Sequence, residues 1–295
     1  MLDCHHHIWD LEAVHYPWLM ARDQVRFFGD PSPIQRNYPM SEYRLDAASS
    51  EICCSVHIQV GAEDPFAEAR WVQDTAEQDC CWPAAQVVFC DLTDQDLDVR
   101  LDALQELPSV RGIRQIVGRS AEEDALTGSN SLLEDPRFCE GLKELAGRGL
   151  SFDLQLTPGQ MKRAAEVFGE HPELKTALCH AGSPGFRGRE DYLHWKEGIR
   201  LLAELDNMHC KLSGLAMFYR RADATSFRPV LDHCLRSFGP DKCMFGSNFP
   251  VDGLYTDYSS NFSSYWENVP PAFRDRVFHR NARTFYRLCP GGGSA

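Results

Sequence analysis

The run LDCHHHIW at residues 2–9 places three histidines in succession. Successive side chains of an extended strand face opposite ways, so His5 and His7 project together and His6 projects away. Two imidazoles side by side at the C-terminal end of a strand can bind a divalent ion or polarise a carbonyl oxygen. A lone histidine is more often a satisfied structural residue, and the pairing is what favours chemistry here. His180 ends another apolar run and precedes the turn AGSPG, which leaves its imidazole at the same rim.

Further polar residues fall where strands would turn them inward. Lys211 shares parity with His209 and Ser213, and an inward ammonium needs an anion. That anion is either a substrate group or an acidic neighbour, and the sequence leaves both open. Arg111 and Arg114 have opposite parity, so one of them faces inward; Arg114 is expected to do so and to grip a substrate carboxylate. Gln155 with Asp153, and Gln59 with His57, are expected to line the interior. In MFGSNFPVDG, Asn248 stands at a strand end. An amide is no general base near neutral pH, although its oxygen can orient water or ligate a metal weakly. Asp252, four residues on, is the nearest acid, with an exposed loop cap as its structural reading. The expected catalytic set is therefore His5, His7, His180, Lys211, Asn248 and Asp252. Gln59, Arg114, Gln155 and Ser213 are expected to bind substrate, and His5, His7 and His180 could hold one ion.

Short apolar runs alternating with amphipathic stretches must position these groups. Strands are predicted over 2–9, 52–60, 84–91, 110–117, 150–156, 174–181, 207–214 and 242–249. Helices are predicted over 65–80, 96–107, 135–148, 158–170, 190–205 and 226–238, several opened by Pro or closed by Gly. Eight such repeats close as a (β/α)8 barrel, a TIM barrel, with catalytic groups at the C-terminal ends of its strands. The barrel is predicted to span 1–289, with a flexible tail over 290–295. Residues 10–50, rich in aromatics such as Tyr16, Trp18, Phe27, Phe28 and Tyr38, read as a loop folded over the mouth. A closing helix is predicted over 269–288.

Composition narrows the partners. Against 30 Lys plus Arg stand 43 Asp plus Glu, a formal charge of −13 spread along the chain. Such a surface repels phosphate backbones and anionic membranes, leaving a small molecule as the expected partner. No apolar run reaches the ~20 residues of a membrane span, and no basic, apolar leader opens the chain, so the protein reads as cytoplasmic. The twelve cysteines, among them Cys4, Cys53, Cys54, Cys90, Cys179, Cys210 and Cys243 in strand-like runs, read as small buried hydrophobes. The adjacent pairs Cys53-Cys54 and Cys80-Cys81 lack zinc-clip spacing. Neither a nucleotide-binding glycine loop nor a GxSxG elbow is present. The sequence leaves the oligomeric state open, a homo-oligomer included.

The ordered motifs DCHHHIW, RGIRQ, LSFDLQ, CHAGSP, KLSGL and MFGSNFPVD resemble the amidohydrolase-related family that contains fuconolactonase-like and 2-pyrone-4,6-dicarboxylate-lactonase-like enzymes. The resemblance covers essentially the whole chain. It implies a barrel that hydrolyses a small lactone or related carbonyl compound, with the family's first-strand pair at His5 and His7 and its sixth-strand histidine at His180. Where such lactonases commonly carry a water-activating aspartate, this chain has Asn248. VRGIRQIV lacks the lysine or glutamate that bridges two metals in binuclear relatives, so at most one ion, zinc or manganese, is implied, with metal-free catalysis at equal weight. The readings that compete with lactone hydrolysis are a decarboxylase or lactone isomerase on the same barrel, and a catalytically silent binding barrel.

Overall fold

In the computed structural model, which describes residues 1–79 and 82–288, eight parallel strands pair in chain order. They are β1 (Leu2–His6), β2 (Cys54–Ile58), β3 (Ala85–Val88), β4 (Val110–Ile113), β5 (Ser151–Leu154), β6 (Thr176–Leu178), β7 (Met208–Leu212) and β8 (Cys243–Phe245). The seam between the last strand and the first is closed just past their ends, where Asn248 N–H donates to the His5 carbonyl and His7 N–H to the Phe249 carbonyl, each at 2.7 Å. This is the expected (β/α)8 barrel, with every strand shorter than its apolar run.

Two apolar cores result. Inward residues Leu2, Cys4, Val56, Ile58, Ala85, Val87, Ala177 and Met244 fill the barrel, and the opposite strand faces pack against the helices. The helices Pro65–Gln78 and Pro136–Gly147 show how the sequence starts such elements: proline occupies the first turn, and Asp64 and Asp135 accept hydrogen bonds from the first free backbone amides. The predicted stretch 158–170 begins with a short 3-10 turn before the helix Met161–Gly169.

The closing segment differs from a single helix. It runs as a 3-10 turn (Pro271–Phe273), a π-helical turn (Arg276–Arg280) and a short α-helix (Asn281–Phe285). The break lets it serve both cores: Val277 and Phe278 join the outer one, whereas Ala282, Phe285, Tyr286 and Leu288 plug the end of the barrel opposite the mouth. The long first connection is also structured, containing the helices Pro17–Met20 and Met40–Ala47. Helices Ala121–Thr127, Leu215–Tyr219 and Tyr258–Trp266 were not predicted. Nine cysteines among the described residues are free; six of these are buried, Cys54 and Cys139 are half-buried, and Cys53 is exposed. Cys80-Cys81 and the predicted tail lie outside the described residues.

Candidate active site

Strand β1 does not keep a strict two-residue period. Its register with β2 shifts between Asp3 and His6, so Cys4 and His5 both face the interior before the alternation resumes. His6 turns outward and stacks on Tyr43, ring centroids 4.0 Å apart. His5 and His7 meet edge to face at 5.2 Å, and His180 lies 4.5 Å from His5. All three rings are buried. Burial is the main cause that holds each pKa well below the ordinary imidazole range; Lys211 adds to it at His5, and Arg114 at His7 and His180. The site therefore presents neutral imidazoles.

Backbone geometry supports this cluster closely. His180 adopts a left-handed conformation, φ 52° and ψ 41°, within a tight turn formed by residues 179–182; strain of this kind in a bulky residue concentrates at functional sites. Its Nδ1 lies 3.1 Å from the Ser213 hydroxyl. Gly214, at φ 69°, makes room for the ring: a Cβ there would come within 2.5 Å of His180 Nδ1. At Gly246 a Cβ would lie 2.6 Å from that of His5.

His7 Nδ1 lies 2.7 Å from the Ile58 carbonyl, a contact only an N–H can make, which assigns the proton to Nδ1. Nε2 is left with its lone pair, facing Asn248 Oδ1 at 3.4 Å. The amide is oriented from behind: Asn248 Nδ2 donates to Asp252 Oδ1 at 2.8 Å. Asp252 is not the exposed cap that its loop position suggested. It is fully buried, accepts from the backbone amides of Ala216 and Met217 at 3.2 and 3.3 Å, and is pushed up to about 7 by burial.

Arg114 faces inward as predicted, donating to Gln155 Oε1 at 3.1 Å and to the Gln59 carbonyl, and its Nε has no partner. Arg111 lies at the other end of β4, donating to the Pro108 and Val110 carbonyls. Gln59 Nε2 reaches the Arg114 carbonyl at 3.4 Å. His57 does not line the interior. Val56 and Ile58 take the inward positions of β2, and His57 lies outside the barrel, 3.7 Å from Glu68. Lys211 is fully buried in an ion pair with Asp153 and donates to the Cys4 carbonyl at 3.0 Å. Burial is the largest influence and disfavours its ammonium, but the charge and hydrogen bond of Asp153, with smaller contributions from Cys4 and Cys179, together leave the pKa raised. The acidic neighbour is thus Asp153. His209 shares the inward face but packs on Phe285 at the plugged end, remote from the mouth.

One feature escaped the sequence reading, and another was expected only in outline. Asp3, behind the histidines, receives four hydrogen bonds; its only signal was an acid two residues before His5. The feature expected in outline is the loop over the mouth, of which the sequence did not show the anchors. Arg26 pairs with Glu123 at 2.8 Å, Phe27 lies 5.9 Å from Phe218, and the Tyr255 hydroxyl donates to the Phe28 carbonyl. Glu123 follows β4 and Tyr255 follows β8, on opposite sides of an eight-stranded ring, so residues 26–29 must cross the opening.

As a metal centre the cluster fits poorly. Among the described residues, the group of three potential ligands whose donor atoms lie within 4.8 Å of one another is His5, Asp153 and Cys179, rather than the three histidines. The Asp153 carboxylate in that group is engaged by Lys211 and Tyr286, and burial pushes the Cys179 thiol up to about 12, keeping it protonated. Arg114 and Lys211 add positive charge where a cation would sit.

A parallel barrel with polar groups gathered at the C-terminal ends of its strands has the architecture of a barrel enzyme. The chain belongs to the amidohydrolase family, whose model matches residues 2–288, and is a hydrolase of that superfamily. An uncharacterised protein of Sinorhizobium fredii is 33% identical, over 98% of both chains. The L-fucono-1,5-lactonase of Burkholderia ambifaria is 28% identical, over 75% of this chain and 76% of its own. Among solved structures, an amidohydrolase from Burkholderia multivorans with bound zinc superposes with a TM-score of 0.81 at 23% identity, covering 98% of this chain and 99% of that one. Among the described residues no helix is long and apolar enough to cross a membrane.

Proposed function

We infer that this protein opens a small lactone by water attack, with a preference for lactones that carry a carboxylate. The observation that carries the reading is the convergence of three neutral imidazoles beside the partly unpaired Arg114 guanidinium. Its lactonase relatives support the reaction class.

Arg114 binds the substrate carboxylate through its free Nε–H. The N–H groups of His5 and His180 donate to the carbonyl oxygen, where negative charge accumulates in the transition state. The lone pair of His7 Nε2 and that of Asn248 Oδ1 face each other with no proton between them, an arrangement that calls for a shared donor. A water placed there gives one proton to His7 as its oxygen attacks the carbonyl carbon, while Asn248 accepts from the other. The ring C–O bond then breaks, and the departing alkoxide takes the proton back from His7. Arg114 is among the charges that depress His7, so neutralising it with a bound carboxylate raises the proton affinity of His7 when substrate is present.

A divalent ion, when bound in such enzymes, polarises the carbonyl or lowers the pKa of water. Here the N–H groups of His5 and His180 take the first task, and no step requires the ion. Purified protein would be offered a panel of aldonolactones and carboxylate-bearing lactones, with proton release and product mass recorded. Ring opening with gain of one water, abolished in His5→Ala, is expected. Carbon dioxide release, or turnover surviving His5→Ala, would refute the assignment.

A further inference from the structure

Four donors converge on the buried carboxylate of Asp3. Its Oδ1 accepts from the backbone amides of His5 at 3.0 Å and Ser247 at 2.9 Å. Its Oδ2 accepts from the hydroxyls of Tyr43 at 2.8 Å and Tyr258 at 2.9 Å. The two backbone donors are telling: one belongs to His5, and the other to the residue before Asn248. Asp3 thus grips both sides of the seam at which the first strand meets the last. The same seam carries the hydrogen bonds from Asn248 N–H to the His5 carbonyl and from His7 N–H to the Phe249 carbonyl. Tyr43 and Tyr258 come from the helices Met40–Ala47 and Tyr258–Trp266, so Asp3 also ties the outer layer to this junction. The carboxylate is buried and turned towards the outer layer, where its Oδ2 meets the two helix tyrosines.

We propose that Asp3 is a positioning residue that fixes the separation of the His5/His7 pair from Asn248 by holding the His5 and Ser247 amides on one oxygen. The assignment rests on the lactone-opening reading for its kinetic consequence, and on the hydrogen bonds alone for its geometric one. What the role requires is acceptor geometry rather than negative charge. An asparagine can still present its carbonyl to the two amides and its NH2 to the two hydroxyls, because a tyrosine hydroxyl accepts as well as donates. Alanine can do neither, and an error of ~1 Å in placing reacting groups costs on the order of 100-fold in rate.

The test compares Asp3→Ala, Asp3→Asn and Tyr258→Phe on a lactone that the wild type turns over, with circular dichroism to verify folding. Asp3→Ala is expected to lose kcat by roughly 100-fold with KM changed by less than about threefold. Asp3→Asn should restore most of that loss, and Tyr258→Phe, which keeps its ring packing and tests the network even if the alanine variant does not fold, should fall between. Equal damage in Asp3→Asn and Asp3→Ala would show that charge is what matters and overturn the proposal, as would a folded Asp3→Ala with unchanged kcat or a loss confined to KM. Nitrogen NMR of labelled histidine supplies a readout free of substrate. The His5 and His7 ring signals should move in Asp3→Ala and return in Asp3→Asn; unchanged signals would refute the positioning role whether or not any lactone is a substrate.

Discussion

Removing one member of the Lys211–Asp153 pair should cost far more than removing both. Lys211 is fully buried, its ammonium held by Asp153, the Cys4 carbonyl at 3.0 Å and the face of Tyr286 at 5.2 Å from the ring centre. The Tyr286 hydroxyl donates to both Asp153 oxygens, at 3.0 and 3.2 Å. Asp153→Asn leaves a buried ammonium without its counter-charge, and Lys211→Met leaves a buried carboxylate; each is expected to cost about 3–5 kcal/mol. At about 2–4 °C per kcal/mol for a chain of this size, the melting temperature falls by on the order of 10 °C. The double variant Lys211→Met/Asp153→Leu buries no charge and forfeits the hydrogen bonds of the Tyr286 hydroxyl and the Cys4 carbonyl, about 1 kcal/mol each. It should therefore be more stable than either single variant, by about 1 kcal/mol or more on those figures. Denaturation by urea followed by circular dichroism measures all four proteins. Additive losses, with the double variant least stable of all, would show that the two charges do not compensate each other.

His6, stacked on Tyr43 outside the barrel, is kept neutral by burial. A base whose folded pKa lies below its unfolded 6.5 destabilises the fold as pH falls through 6.5, so His6→Phe should lessen the loss between about pH 7.5 and 5.5 by about 1.4 kcal/mol in denaturation curves; an equal loss in both proteins would contradict the burial argument. Gly214→Ala forces a Cβ against His180 and a non-glycine residue to φ 69°; activity should fall by about tenfold or more and stability by about 1 kcal/mol or more, and a fully active, equally stable variant would show that the ring has room to move. Arg114→Met should raise KM for carboxylate-bearing lactones about 30-fold or more, the equivalent of about 2 kcal/mol, while neutral lactones are little affected; an equal effect on both would remove Arg114 from carboxylate recognition. Elemental analysis should find less than one equivalent of zinc or manganese, and chelation should leave the rate unchanged; stoichiometric metal with activity lost on chelation would overturn the metal-free reading.

The strand period was enough to find His5 and His7, and the strand-end turn was enough to find His180, because both depend only on local chain direction. The same alternation allowed only one of Arg111 and Arg114 to face inward, without saying which. Parity failed where the strand itself departed from regularity. The register shift in β1 brings Cys4 inward beside His5, and His57 could be assigned outward only once β2 was seen to present Val56 and Ile58 to the core. The partners of Asp3 and Lys211 were out of reach for another reason: Ser247 is 244 residues from Asp3, and Asp153 is 58 from Lys211. Local patterning does not say which strands will be neighbours. Asp252 shows the converse, a loop position that looked exposed but is buried because the chain folds back beneath the helix Leu215–Tyr219.

The seam between β1 and β8 has a consequence for how the protein comes into being. His5 and His7 leave the ribosome long before the groups that orient them, at Ser247, Asn248 and Tyr258: His7 and Asn248 are 241 residues apart. Contacts this remote in sequence slow folding, because a long loop must close before they form. Until the eighth strand is made, the first has a bare edge, and β1 must be kept from pairing with other chains. A nascent chain stalled before residue 247 would hold His5 and His7 without Ser247 or Asn248, so on the lactone-opening reading activity itself would report that the barrel has closed.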